Sequence, residues 1–183
     1  MQEISNLSNR YGFSVIEDAS HALGGKYQNI PVGSCKFSKI TIFSFHPVKI
    51  ITSAEGGVAC TNDKKLEKKM RLFVSHGITK DNKNFLLPET DSWSYEQQFL
   101  GFNYRLSDVH AALGLSQLSR LDEIVKERNK LLTVYKTIFL ESNLSFMEIP
   151  ENVFSSVHLA ILRVCKNDPE LHKTIFNYLR IKN

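Results

Sequence analysis

A chain of 183 residues is long enough for one domain of ordinary size, or for one domain and part of another. Hydrophobic residues make up 42% of it, and 23 Lys and Arg against 19 Asp and Glu leave a formal charge of +4, too small an excess to mark a nucleic-acid binder. No apolar run approaches the roughly 20 residues of a membrane span, and the opening MQEISNLSNRYGF has no signal-peptide core, so a cytoplasmic protein with neither membrane nor nucleic acid as partner is expected.

Residues 4 to 11 read as the last turns of a helix that Gly12 ends. A short apolar strand follows, Phe13 to Ile16, stopping at Glu17 and Asp18. Lys39 to Phe45, rich in β-branched and aromatic residues, reads as a second strand, and Gly57 to Thr61 as a third. Short strands with little alternation suit a sheet covered by helices on both faces. Asn62-Asp63 caps a helix running to about Ser75, with Leu66, Met70 and Phe73 at helical spacing. The lysines and arginine of that stretch (Lys64, Lys65, Lys68, Lys69, Arg71) read as its solvated face. Residues 78 to 95 are polar and irregular, a surface loop. Ser107 caps a long helix with an apolar stripe of Val109, Ala112, Leu113, Leu118, Leu121 and Val125, continuing with a bend to about Leu140. Val157 to Val164 reads as a strand, and Asp168-Pro169 opens a last helix with proline at its first position. The chain opens inside a helix and closes on an unfinished strand-helix unit, so sequence missing at both ends is expected.

Three stretches carry candidate chemistry. In Val15-Ile16-Glu17-Asp18-Ala19-Ser20-His21, an acid at the carboxyl end of a buried strand faces the crevice where α/β proteins bind ligands. Asp18 can pair with a protonated ring nitrogen, and His21 can face the same ligand; alternatively Asp18 caps the next turn. In Phe43-Ser44-Phe45-His46-Pro47-Val48-Lys49, a strand ends at a serine, a proline turns the chain, and a lone lysine follows between apolar residues. Desolvation disfavours a charged amine, and a neutral amine attacks aldehydes; the bland alternative is a surface lysine in a loop. Ser44 can donate to a phosphate. Asn103 and Arg105 lie just ahead of a helix N-terminus, where anions are favoured. His76, His110 and His158 are scattered and read as structural. Cys35, Cys60 and Cys165 form no CxxC pair, which argues against a metal site or a disulfide framework.

The ordered set VIEDASHALGG, FSFHPVKIITSAEGGVACTND, RLFVSHGI and GFNYRLSDVHAALGLSQL resembles the DegT/DnrJ/EryC1/StrS family of sugar aminotransferases over nearly the whole chain. The resemblance implies the pyridoxal-phosphate (PLP)-dependent type I aminotransferase fold, aspartate aminotransferase-like, incomplete here at both ends, and a homodimer. Residues 1–140 would be part of the large PLP-binding domain and 141–183 the start of the small C-terminal domain. By the same resemblance Lys49 is the Schiff-base lysine, and Asp18 pairs with the pyridinium nitrogen. His21 lies by the cofactor ring and its 3-oxygen, Ser44 binds the phosphate, and Asn103 reaches the phosphate of the partner subunit. The implied reaction moves an amino group from glutamate to C4 of a UDP-linked 4-keto-6-deoxy amino sugar in pseudaminic acid biosynthesis. A truncated, non-catalytic remnant of such an enzyme is the alternative expectation.

Overall fold

The computed structural model describes residues 1–87, 91–164 and 168–182; Cys165 and the middle of the expected polar loop lie outside them. Helix α1 (Gln2–Tyr11) ends at Gly12, whose φ of 75° lets its N–H turn back to the Ser8 carbonyl. Strand β1 (Ile16–Asp18) begins later than the apolar run suggests. The Phe13 carbonyl is tied back to α1 by the Ser8 hydroxyl. Cross-strand bonding starts only where Lys39 donates to the Val15 carbonyl, so the ladder takes in the two acids instead of stopping at them.

A hairpin of β2 (Lys26–Tyr27) and β3 (Ile30–Pro31) was not legible in the periodicity. Its two turn residues, Gln28 and Asn29, have φ of 51° and 62°, the double left-handed geometry of a tight two-residue turn. Strand β4 (Ile40–Ser44) runs parallel to β1, with Asp18 opposite Ile42, and antiparallel to β5 (Gly57–Cys60), giving a sheet of order β1-β4-β5. Gly57 is required at the tight end of this pair: a Cβ there would sit 2.6 Å from the Phe43 carbonyl oxygen.

Helix α2 (Lys64–Val74) is capped by Asp63, whose carboxylate accepts from the N–H groups of Lys65 and Leu66. The polar stretch beyond it holds β6 (Ile78–Thr79), a single 3-10 turn (Asn82–Asn84) and β7 (Glu96–Gln97), which pairs with β6. Ser107 accepts from the His110 N–H and caps α3 (Asp108–Leu118); a break at Ser119-Arg120 separates it from α4 (Leu121–Ile138). The expected apolar stripe divides at that break. Val125 is buried and Leu121 half-buried, whereas Val109, Leu113 and Leu118 stand exposed on α3.

Strands β8 (Leu144–Phe146) and β9 (Val153–Phe154) follow, β9 pairing with β2. The expected strand over 157–164 shrinks to β10 (Leu162–Val164), antiparallel to β8, because Val157 has a φ of 52° that no strand accommodates. Helix α5 (Pro169–Lys182) opens as expected, Asp168 accepting from the Leu171 N–H. The architecture is mixed α/β. Its buried centre joins Ile50, Ile51 and Val125, with Leu23, Phe45, Leu121 and Ile124 packed around them. Each such side chain stabilises the fold by about 1.5–3 kcal/mol. That cluster binds the loop after β4 to α4. Among the described residues no helix is long and apolar enough to cross a membrane.

Candidate functional site

Parallel pairing of β1 and β4 puts their carboxyl ends, Asp18 and Ser44, at the same end of the sheet. The side chains of β1 alternate across it. Glu17 turns to the side where its carboxylate accepts from Thr41, which is fully buried, and from Ser38. Asp18 turns the other way and is exposed. Its Oδ1 accepts from the Ser20 hydroxyl at 2.6 Å and the Ser20 N–H at 3.1 Å. Asp18 therefore caps the following turn, and the cap does not occupy it fully: a carboxylate offers about four acceptor sites. The Ser20 bonds hold its carboxyl below the ordinary carboxylate range, and the charges of His21 and Lys49 push the same way. Lys49 and His21 thus lie within electrostatic reach of Asp18.

Lys49 is delivered by a loop fixed at both ends. Its N–H donates to the His46 carbonyl, while the Thr52 hydroxyl and the Ser53 N–H both donate to the Phe45 carbonyl. Ala54 closes the loop with a φ of 66°, its N–H donating to the Thr52 hydroxyl. Ile50 and Ile51, 4% and 2% exposed, root the loop in the core beside the half-buried Lys49. Among the described residues Lys49 forms no ion pair; those present join Arg71 to Glu67 and Lys130 to Glu127.

The structure brings together Asp18, His21 and Lys49, with Ser44 at the end of the adjoining strand, where its hydroxyl accepts from the His46 N–H at 3.5 Å. Asn103 is anchored elsewhere. Its backbone bridges to Ser75, its side-chain oxygen accepts from Arg105 at 3.5 Å, and it is exposed. One residue that sequence reasoning set aside as scattered belongs to the group: the His158 ring lies 4.1 Å from that of His21. Burial first, then the charges of His21, Lys49 and Arg128, hold His158 below the ordinary histidine value. No local signal in the sequence marks it, since His21 and Lys49 come from positions more than a hundred residues earlier.

The family model for the DegT/DnrJ/EryC1/StrS aminotransferases matches residues 1–183. The chain is 42% identical over 160 residues to the UDP-4-amino-4,6-dideoxy-N-acetyl-beta-L-altrosamine transaminase of Campylobacter jejuni, covering 87% of this chain and 40% of that protein. Among solved structures it is similar to Helicobacter pylori PseC, an aminotransferase involved in the biosynthesis of pseudoaminic acid. The TM-score is 0.87 at 33% identity, over 99% of this chain and 46% of that one. It is also similar to a putative sugar aminotransferase of Streptococcus pneumoniae in its PLP form, with TM-score 0.80 at 29% identity, over 96% and 44% of the two chains. The chain spans less than half the length of these relatives. A model matched from end to end settles the family: the chain belongs to the DegT/DnrJ/EryC1/StrS aminotransferases.

Proposed function

We propose that this chain is part of a PLP-dependent aminotransferase that moves an amino group from glutamate to C4 of a UDP-linked 4-keto-6-deoxy amino sugar, in pseudaminic acid biosynthesis. The observation that carries this reading is the placement of Asp18 and Ser44 at the carboxyl ends of two parallel strands, with Lys49 held on the loop that follows Ser44. The donor set fits pyridoxal phosphate: a carboxylate held ionised for a protonated ring nitrogen, an exposed imidazole beside it, and an amine with no carboxylate partner among the described residues. When bound, that group supplies an aldehyde for covalent attachment and a ring that accepts electrons from the carbon being deprotonated.

The chain's own residues then divide the work. Asp18 keeps the ring nitrogen protonated, because the Ser20 bonds and nearby cations favour its charged form. His21 lies along the ring and its 3-oxygen. Ser44 donates its hydroxyl to the phosphate, and Asn103 serves the phosphate of a partner subunit in a homodimer. The Lys49 Nζ is the covalent anchor; once released, it takes a proton from substrate carbon and returns it as general base and acid, worth about 10²–10⁴-fold. Residues 1–140 form part of the large domain and 141–183 begin the small one, in a cytoplasmic protein. The support for the substrate is the 42% identity to a transaminase named for a UDP-linked dideoxy amino sugar.

The test is chemical. Purified protein is mixed with pyridoxal phosphate, its visible spectrum recorded, and borohydride added. The peptide carrying Lys49 should gain the mass of the reduced cofactor. A label on another lysine, or on none, would overturn the reading.

A further inference from the structure

Residues 155–158 are held in a conformation that the chain does not adopt unaided. Val157 has a φ of 52° although β-branched, and it is buried at 8% exposure. A left-handed backbone at such a residue persists only where its surroundings impose it, and such strain gathers at functional sites. The surroundings here are specific. Arg128 of α4 donates through Nη1 to the carbonyls of Val157 and His158, at 3.2 and 3.4 Å. Asn129 donates to the Ser155 carbonyl at 3.0 Å. The Ser155 hydroxyl accepts from the Val157 N–H at 3.1 Å. Ser156, 1% exposed, donates its hydroxyl to the His21 carbonyl at 3.3 Å.

The product of this clamp is a ring pair. His158 lies 4.1 Å from His21 between centroids, the planes 46° apart. Its Nδ1 is buried and, among the described residues, has no hydrogen-bond partner. A clamp this extensive, ending on an imidazole whose own nitrogen gains nothing locally, is explained by what the ring does to its neighbour. We infer that His158 is a positioning residue of the Asp18–His21–Lys49 site: its neutral ring backs His21 and fixes the face that His21 presents to pyridoxal phosphate. This rests on the functional reading above.

The ring has to stay uncharged to do so. The charged and titratable groups acting on it are His21, Lys49 and Arg128, all cationic or able to become so, with no carboxylate among them. Burial, the largest effect, opposes its protonation as well. A proton on His158 sets its ring against the cationic Lys49 and Arg128 and loosens it from His21. The neutral form is favoured at neutral pH and is lost as pH falls below the ordinary histidine value.

The experiment compares the unchanged chain with His158→Ala and His158→Phe. Affinity for pyridoxal phosphate is read from absorbance between about pH 5 and 8, and borohydride labelling at Lys49 is read by mass. Phenylalanine restores an aromatic backing without a titratable nitrogen. His158→Ala should weaken binding roughly three- to tenfold at neutral pH, the range an aromatic pair contributes. His158→Phe should recover most of that loss and keep its affinity into acid, where the unchanged chain loses it. His158→Ala binding as tightly as the unchanged chain would overturn the inference. So would His158→Phe binding as weakly as the alanine variant, or declining in acid in parallel with the unchanged chain. If alanine prevents folding, the comparison of His158→Phe with the unchanged chain from neutral pH into acid still decides. Failure of the unchanged chain to be labelled at Lys49 would instead remove the functional reading beneath it.

Discussion

The loop after β4 and the helix α3 are both rich in apolar residues, yet they are held in opposite ways. Residues 45–54 turn Ile50 and Ile51 inward, at 4% and 2% exposure, leave Val48 exposed, and return hydrogen bonds to Phe45 from two directions. Helix α3 keeps a capped N-terminus, and yet Val109 and Leu115 stand 78% and 67% exposed. The difference teaches where rigidity is concentrated. It lies in the loop that carries Lys49 and in the α4 contacts that hold His158, the places where a few tenths of an ångström alter how a ligand is met.

Perturbations of the first region should have large effects and those of the second almost none. Lys49→Ala should abolish borohydride labelling of the chain outright, with unfolding curves little changed, since the side chain makes no ion pair among the described residues. Ile51→Ala should cost about 2–5 kcal/mol in denaturant unfolding, through lost burial and the cavity left behind. Arg128→Met should cost about 1.5–3 kcal/mol, because two carbonyls lose a charged donor; limited proteolysis should then open the chain near residue 157. His158 gives a pH effect of definite sign. Its folded-state value lies below its unfolded one, so the stability it contributes is complete above the ordinary histidine value and falls as pH drops toward the folded value. Melting curves from neutral to mildly acidic pH should show that fall, and His158→Phe should diminish it. The smallest effect is on α3: Leu115→Gln should change stability by within about 0.5 kcal/mol, and a larger loss would mean that this face is covered in solution.

Features written into adjacent residues were legible in the sequence. Gly12, Asp63, Ser107 and Asp168 end or begin the helices expected of them, because a cap is made by a side chain and the few N–H groups beside it. The loop that carries Lys49 and the place of Asp18 at a strand end were legible too. Of the two competing readings of Asp18, the cap is seen in its bonds to Ser20, and the pairing with a ring nitrogen remains the proposal. What could not be read depends on distant partners. The hairpin at Gln28-Asn29 lacks glycine, and a strand of two residues shows no period. The run from Val157 looks like a strand by its β-branched content, but α4 bends it through Arg128 and Asn129. His158 carries no motif of its own; only the fold sets it on His21.

The bond from the Ser156 hydroxyl to the His21 carbonyl closes a loop of 135 residues. For a flexible chain, bringing such ends together costs about 4 kcal/mol in entropy, far more than one hydrogen bond returns, so this contact forms only after the sheet and α4 have already gathered the intervening polypeptide. The two imidazoles are therefore joined late. A ribosome must have released residue 158 before that ring can reach His21, and any nascent or clipped chain ending earlier carries Lys49 without it.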